Sequence, residues 1–173
     1  GRNHAPPAEP VPTVFAYATP LPPLDPRVLA EGVAAVTLPD ERWARCDIKS
    51  TALLPNVLAK GRAQAAGGFE AILLAEGWLR EGSSTTVMLV QDGTLLAPPD
   101  SPRVLPGTTR DFVFSLAKRL GIPVVQRELR VAELFAADEV LLGFATRGAL
   151  PRKGGLVPPL SSSACERTRA GVH

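Results

Sequence analysis

Cysteine is scarce in this chain: Cys46 and Cys165 are the only two among 173 residues. Two distant thiols do not build a disulfide framework, so a reducing cytoplasm is the expected setting. Long apolar runs are lacking too. Nothing approaches the ~20 residues needed to cross a bilayer, and no signal-peptide pattern opens the sequence, so a membrane partner is not expected. Lysine and arginine do not cluster before the C-terminal tail and the net charge is only +2. That balance gives no reason to propose nucleic acid as a partner. No internal repeat is visible, and no metal site is assigned.

What is present is an ordinary globular composition, 45% hydrophobic and 21% charged, in a length that fits one domain with ragged ends. Proline is the oddity. There are 18, and those at positions 6, 7, 10, 12, 20, 22, 23 and 26 crowd the opening stretch. Each fixes φ and removes a donor, so the stretch cannot be helical throughout. The reading is a linker at Pro6–Pro12, a strand at Thr13–Thr19 and a loop at Pro20–Pro26.

Alternation then predicts strands at Val33–Leu38 and Trp43–Ile48. On the second, Arg45, Asp47 and Lys49 share one face, while Cys46 and Ile48 take the other as core packing. A helix is expected over Ala52–Ala66, stopped by Gly67-Gly68. Phe69–Leu74 and Thr86–Val90 read as β with Glu76-Gly77 turning between them, and Asp92-Gly93 as a hairpin turn into Leu95-Leu96. A helix over Thr109–Leu120, a strand over Val124–Leu129, a short helix over Val131–Ala137 and a strand over Glu139–Phe144 follow. Strands alternating with helices argue for an α/β domain with a mixed sheet. From Arg147 onward neither period holds, and 151–173 is expected to be a poorly ordered or atypical tail.

Four short segments carry the chemistry. Lys49 ends the run Arg45-Cys46-Asp47-Ile48-Lys49-Ser50; by itself it reads as a solvated strand end. Glu81-Gly82-Ser83-Ser84-Thr85 reads alone as a polar turn. Leu105-Pro106-Gly107-Thr108-Thr109-Arg110 opens a helix, where free N–H groups and the dipole favour an anion, or where a threonine merely caps. Arg2-Asn3-His4 reads alone as a frayed end. In this order, over roughly Arg2–Thr146, they resemble the fold-type IV pyridoxal-phosphate enzymes, and among those the D-amino-acid transaminases.

The resemblance implies the large domain of that fold: an α/β unit whose mixed sheet is partly closed into a barrel with flanking helices. It implies that residues 1–12 are the remnant of an interdomain linker and 13–150 the cofactor-binding domain. Lys49 would form the Schiff base with pyridoxal 5'-phosphate and move the proton between Cα and C4′; burial and nearby cations would suit a lysine to both tasks. Glu81 would pair with the pyridine nitrogen. Gly107, Thr108, Thr109 and Thr146 would hold the phosphate, and Leu105 would pack on the ring. Arg2 and His4 would grip the substrate carboxylate and set the D-preference. The substrates would be an amino acid and a 2-oxo acid, and the assembly a homodimer.

The pattern also departs from the family. Phe144-Ala145-Thr146 stands where Ser-Thr-Thr is usual, Thr86 where asparagine is usual, and the family's smaller N-terminal domain is missing. On this reading the chain is a fragment or truncated product whose turnover alone would be impaired. Three other readings stay open: a branched-chain L-aminotransferase, an aminodeoxychorismate lyase, and a folded domain that has lost catalysis.

Overall fold

The structure, a computed structural model, describes residues 4–145 and 148–151. Its elements run α1 (Pro26–Glu31), β1 (Ala35–Pro39), α2 (Leu54–Ala65), β2 (Glu70–Ala75), β3 (Trp78–Gly82), β4 (Thr86–Gln91), β5 (Thr94–Ala97), α3 (Thr108–Arg119), β6 (Val124–Gln126), α4 (Val131–Ala136), β7 (Glu139–Phe144) and β8 (Gly148–Pro151). They make two mixed sheets, ordered β1-β2-β3 and β6-β5-β4-β7-β8.

In the first sheet β1 and β2 are parallel, joined by the α2 crossover, and β3 folds back antiparallel on β2. In the second, β4 pairs antiparallel with β5 and β7, β5 and β6 are parallel across α3, and β8 closes the edge on β7. The β4–β5 hairpin turns on Asp92 at φ 48° and Gly93 at φ 70°. Two successive left-handed residues are what a tight hairpin turn needs, which is why Asp-Gly is found there.

The period-two alternation sorts side chains into layers. Ile72, Leu79, Val87, Leu89, Val140 and Leu142 form a central core drawn from both sheets. Ala71 and Leu73 point the other way, onto Ala59 and Ala63 of α2. Met88 likewise turns outward, to Phe114 and Ala117 of α3. The two sheets thus share one core and carry a helix on each outer face. Each fully buried aliphatic side chain in that centre stabilises the fold by about 1.5–3 kcal/mol.

The expected α/β architecture with a mixed sheet is therefore present, whereas the barrel is not closed. Among the described residues no ladder joins the sheets. They touch where β3 runs into β4, with Gly82 N–H donating to the Thr85 carbonyl at 2.7 Å, and where Val33 N–H donates to the Pro151 carbonyl at 3.1 Å.

Several local expectations are corrected. Thr13–Thr19 is not a strand: it is exposed and without regular structure, because no neighbouring strand among the described residues accepts its hydrogen bonds. Its alternation survives only as the stacking of Phe15 on Tyr17, with centroids 6.3 Å apart. Trp43–Ile48 is not a strand either but a loop with a turn, in which Cys46 N–H donates to the Pro102 carbonyl at 2.7 Å and Ile48 N–H to the Arg45 carbonyl at 3.1 Å. The strand expected at Val124–Leu129 stops at Gln126.

Three elements were not expected. α1 is capped by Asp25, whose carboxylate accepts from Arg27 N–H at 2.9 Å, with Pro26 in the first helical turn. β3 places Leu79 and Glu81 on its buried side, so a carboxylate breaks the apolar alternation. β8 is built of Gly148, Ala149, Leu150 and Pro151, and owes its form to its register on β7. No described helix is long and apolar enough to cross a membrane. The tail expected at 151–173 lies outside the described residues beyond Pro151.

Candidate active site

A cavity of about 1230 Å³ opens between the 42–53 loop, the start of α2, the β3–β4 turn and the start of α3. Lys49, Glu81, Leu105, Gly107, Thr108 and Thr109 all line it. Residues up to 60 positions apart in sequence thus meet around one cavity.

Lys49 sits in the loop after the Cys46–Asp47 turn and is exposed. The burial that a strand-end position would have given it is absent. Its ammonium has no ion pair or hydrogen bond among the described residues. The second lysine on the cavity wall, Lys60 of α2, is committed: its Nζ donates to the Phe69 carbonyl, lies 3.6 Å from the Glu70 carboxylate and stands 4.5 Å over the Phe69 ring. Of the two amines, Lys49 is the one free to react.

Glu81, next to last in β3, is buried. Arg42 donates to its carboxylate from Nη1, and the backbone N–H of Leu105 reaches both of its oxygens at 3.2 Å. The same guanidinium grips Asp40 in a fork, Nε to Oδ1 and Nη2 to Oδ2 at 2.9 Å each, and Nη2 also donates to the Arg103 carbonyl at 3.1 Å. Burial pushes the Glu81 carboxyl above its ordinary value, and the charge and hydrogen bond of Arg42 pull it only part of the way back. For Arg42 the burial opposes charging, but Asp40 and Glu81 outweigh it and hold the cation firmly protonated. Arg42 and Asp40 were not singled out in the sequence; the available signal was Asp-x-Arg at the exit of a strand.

The turn after Glu81 is fixed from beneath. Glu70 is fully buried and accepts from the hydroxyls of Ser83 and Ser84, the latter at 2.6 Å, and from Ala71 N–H at 2.8 Å. Asn56 of α2 donates to the Ser83 carbonyl at 2.8 Å. The serines expected only as part of a polar turn therefore serve to anchor it.

α3 opens at Gly107 with no side-chain cap. Its first N–H groups are left for another acceptor, and the dipole there favours negative charge. Thr109 spends its hydroxyl proton on the Phe144 carbonyl at 2.9 Å. Thr146 and Arg2 lie outside the described residues, and His4 is exposed and not part of the cavity wall. Cys46 is buried and its thiol donates to the Trp43 carbonyl at 3.2 Å; burial pushes the thiol upward, as for a packing residue. Trp43 rims the cavity half-exposed, while Trp78 instead packs under the Arg130 guanidinium, 3.5 Å from the ring centroid.

One cavity thus offers a primary amine, a buried carboxyl steadied by a cation, and an uncapped helix N-terminus. That set suits a heteroaromatic aldehyde with a basic ring nitrogen and a phosphate.

The family model for amino-transferase class IV matches residues 1–153. The chain is 37% identical over 150 residues to a D-alanine aminotransferase of Bacillus licheniformis, covering 87% of this chain and 53% of that protein. It is 38% identical over 136 residues to a putative branched-chain-amino-acid aminotransferase of Methanocaldococcus jannaschii, covering 76% and 46%. Among solved structures, the branched-chain amino acid aminotransferase of Escherichia coli superposes with a TM-score of 0.68 at 32% identity, over 75% of this chain and 44% of that one. The chain spans about half the length of the curated relatives it matches.

Proposed function

Since this chain belongs to the class IV aminotransferases, we propose that residues 13–150 bind pyridoxal 5'-phosphate and serve the transfer of an amino group between a D-amino acid and a 2-oxo acid. The observation that carries the proposal is the convergence of Lys49, Glu81 and the N-terminus of α3 on one cavity. The residues fit the cofactor's three handles: amine for aldehyde, carboxyl for ring nitrogen, uncapped helix N–H groups for phosphate. The D-preference rests on the similarity to D-alanine aminotransferases, at 34–38% identity in the Bacillus and Listeria proteins.

Bound pyridoxal phosphate supplies the electron sink that lets the Cα–H bond of an amino acid break. Lys49, its amine uncommitted at the cavity, would hold the group at its aldehyde carbon with loss of water, and would accept the proton that leaves Cα. Glu81 would stand as the charge partner of the ring nitrogen, its carboxyl held in place by Arg42 and by the Leu105 N–H. Leu105 fixes Glu81 through its backbone N–H, and its side chain would pack against the ring. Gly107, Thr108 and Thr109 hold the phosphate through backbone N–H groups. Assembly as a homodimer in the cytoplasm, with the two sheets as the wall of a partly closed barrel, belongs to the same proposal.

A second reading, a branched-chain L-aminotransferase, is supported by the Methanocaldococcus relative and the Escherichia coli structure. Half-reactions with D-alanine and L-leucine, followed by cofactor absorbance, separate the two. Conversion by D-alanine alone supports the main reading, and conversion by L-leucine alone replaces it.

A further inference from the structure

We propose that the hydroxyl of Thr86 is an additional donor to the cofactor phosphate, a role that rests on the cofactor reading above and deepens it. Three threonines surround the start of α3. Thr108 is exposed. The Thr109 hydroxyl has already given its proton to the Phe144 carbonyl. Thr86, at the first position of β4, is only 8% exposed yet lines the cavity, and its hydroxyl has no hydrogen-bond partner among the described residues.

Its position is set by a close approach. A Cβ built on Gly107 would stand 2.6 Å from Thr86 Oγ1. The hydroxyl therefore occupies the space that a side chain on the residue preceding α3 would fill, and only glycine at 107 lets it stand there. It lies beside the uncapped backbone N–H groups of the same helix end. The hydroxyl is unpartnered and opens on the cavity, so an anion at this point could accept its proton. A phosphate monoester has enough peripheral oxygens to accept from the helix N–H groups and from Thr86 together. This assigns to Thr86 the uncommitted hydroxyl donor that Thr109 does not provide.

The test titrates the 173-residue chain and its Thr86→Val variant with pyridoxal 5'-phosphate and with pyridoxal, which lacks the phosphate, reading cofactor absorbance. Valine keeps the branched shape and removes the hydroxyl. The expected result is a loss of pyridoxal phosphate affinity on the order of ten- to a hundredfold, with pyridoxal binding unchanged. Thr86→Ser should restore the affinity. Equal affinity of Thr86→Val and the unaltered chain for pyridoxal phosphate overturns the assignment, and so does an equal loss for both ligands. Should Thr86→Val fail to fold by circular dichroism, Thr86→Ser and Thr86→Ala carry the comparison: tight binding by the first and weak by the second supports the role, and equal binding refutes it. Failure of the unaltered chain to bind pyridoxal phosphate overturns the cofactor reading and this assignment with it.

Discussion

Arg42 donates to Glu81 with one arm of its guanidinium while the rest of the group is clasped by Asp40 at 2.9 Å. Arg42, Asp40 and Glu81 all have side chains 7% exposed. Each carboxylate is tolerated in that place because the shared cation is there. Replacing Arg42 by alanine should leave two buried acids facing each other without it. The expected cost is about 3–5 kcal/mol, read as a lower urea midpoint with an unchanged slope. Arg42→Lys should recover part of it, since a point charge cannot reproduce the fork.

The same cluster fixes a pH dependence. Burial alone would raise the Asp40 carboxyl, but the hydrogen bonds and charge of Arg42 outweigh it and hold Asp40 below its ordinary value. The folded chain therefore releases this proton more readily than the unfolded chain. Its contribution is complete above the ordinary carboxylate range and is lost as pH falls through the lower folded value. Glu81 works the other way: the folded chain keeps its proton more tightly, so ionising it subtracts stability as pH rises past its ordinary value. Asp40→Asn removes the first effect and leaves the second. Urea midpoints measured between about pH 3 and 7 should fall less on acidification in Asp40→Asn than in the unaltered chain. A parallel decline in both proteins would show that Asp40 is not the group responsible.

Glu81→Gln should separate tuning from holding. Glutamine can still accept from Arg42 and from Leu105 N–H, so the β3–β4 turn should persist and pyridoxal phosphate should still bind. The ring nitrogen would lose its charged partner, worth about 1.5–3 kcal/mol, so Cα deprotonation should slow about ten- to a hundredfold. Stopped-flow half-reactions with deuterated and protonated D-alanine measure that step; an unchanged rate would remove Glu81 from the chemistry.

Much of the frame was legible in the sequence, and the failures have local causes. The apolar alternation of β2, β4 and β7 and the helical spacing of α2 and α3 arise from burial on a definite face, so pattern alone locates them. Trp43–Ile48 mimics a strand because its polar residues alternate, yet Arg45 and Asp47 pair with each other at 2.9 Å across a turn. β3 was hidden because Glu81 occupies a core position, a polar residue placed where only a partner far along the chain makes it tolerable. β8 is short and contains glycine and proline, so its strand form comes from β7. The reactive segments were legible as types in order. Arg42 was not, since the reason for its burial, contact with Glu81 39 positions away, is tertiary.

The proposed role of Lys49 as the amine that takes the cofactor is tested by sodium borohydride reduction of the chain after incubation with pyridoxal 5'-phosphate, followed by peptide mass mapping. Lys60 serves as the internal control, because it lines the same cavity with its amine bound to Phe69 and Glu70. One phosphopyridoxyl group is expected on Lys49 and none in Lys49→Ala. A label on Lys60 or Lys118, or equal labelling of Lys49→Ala, would contradict it.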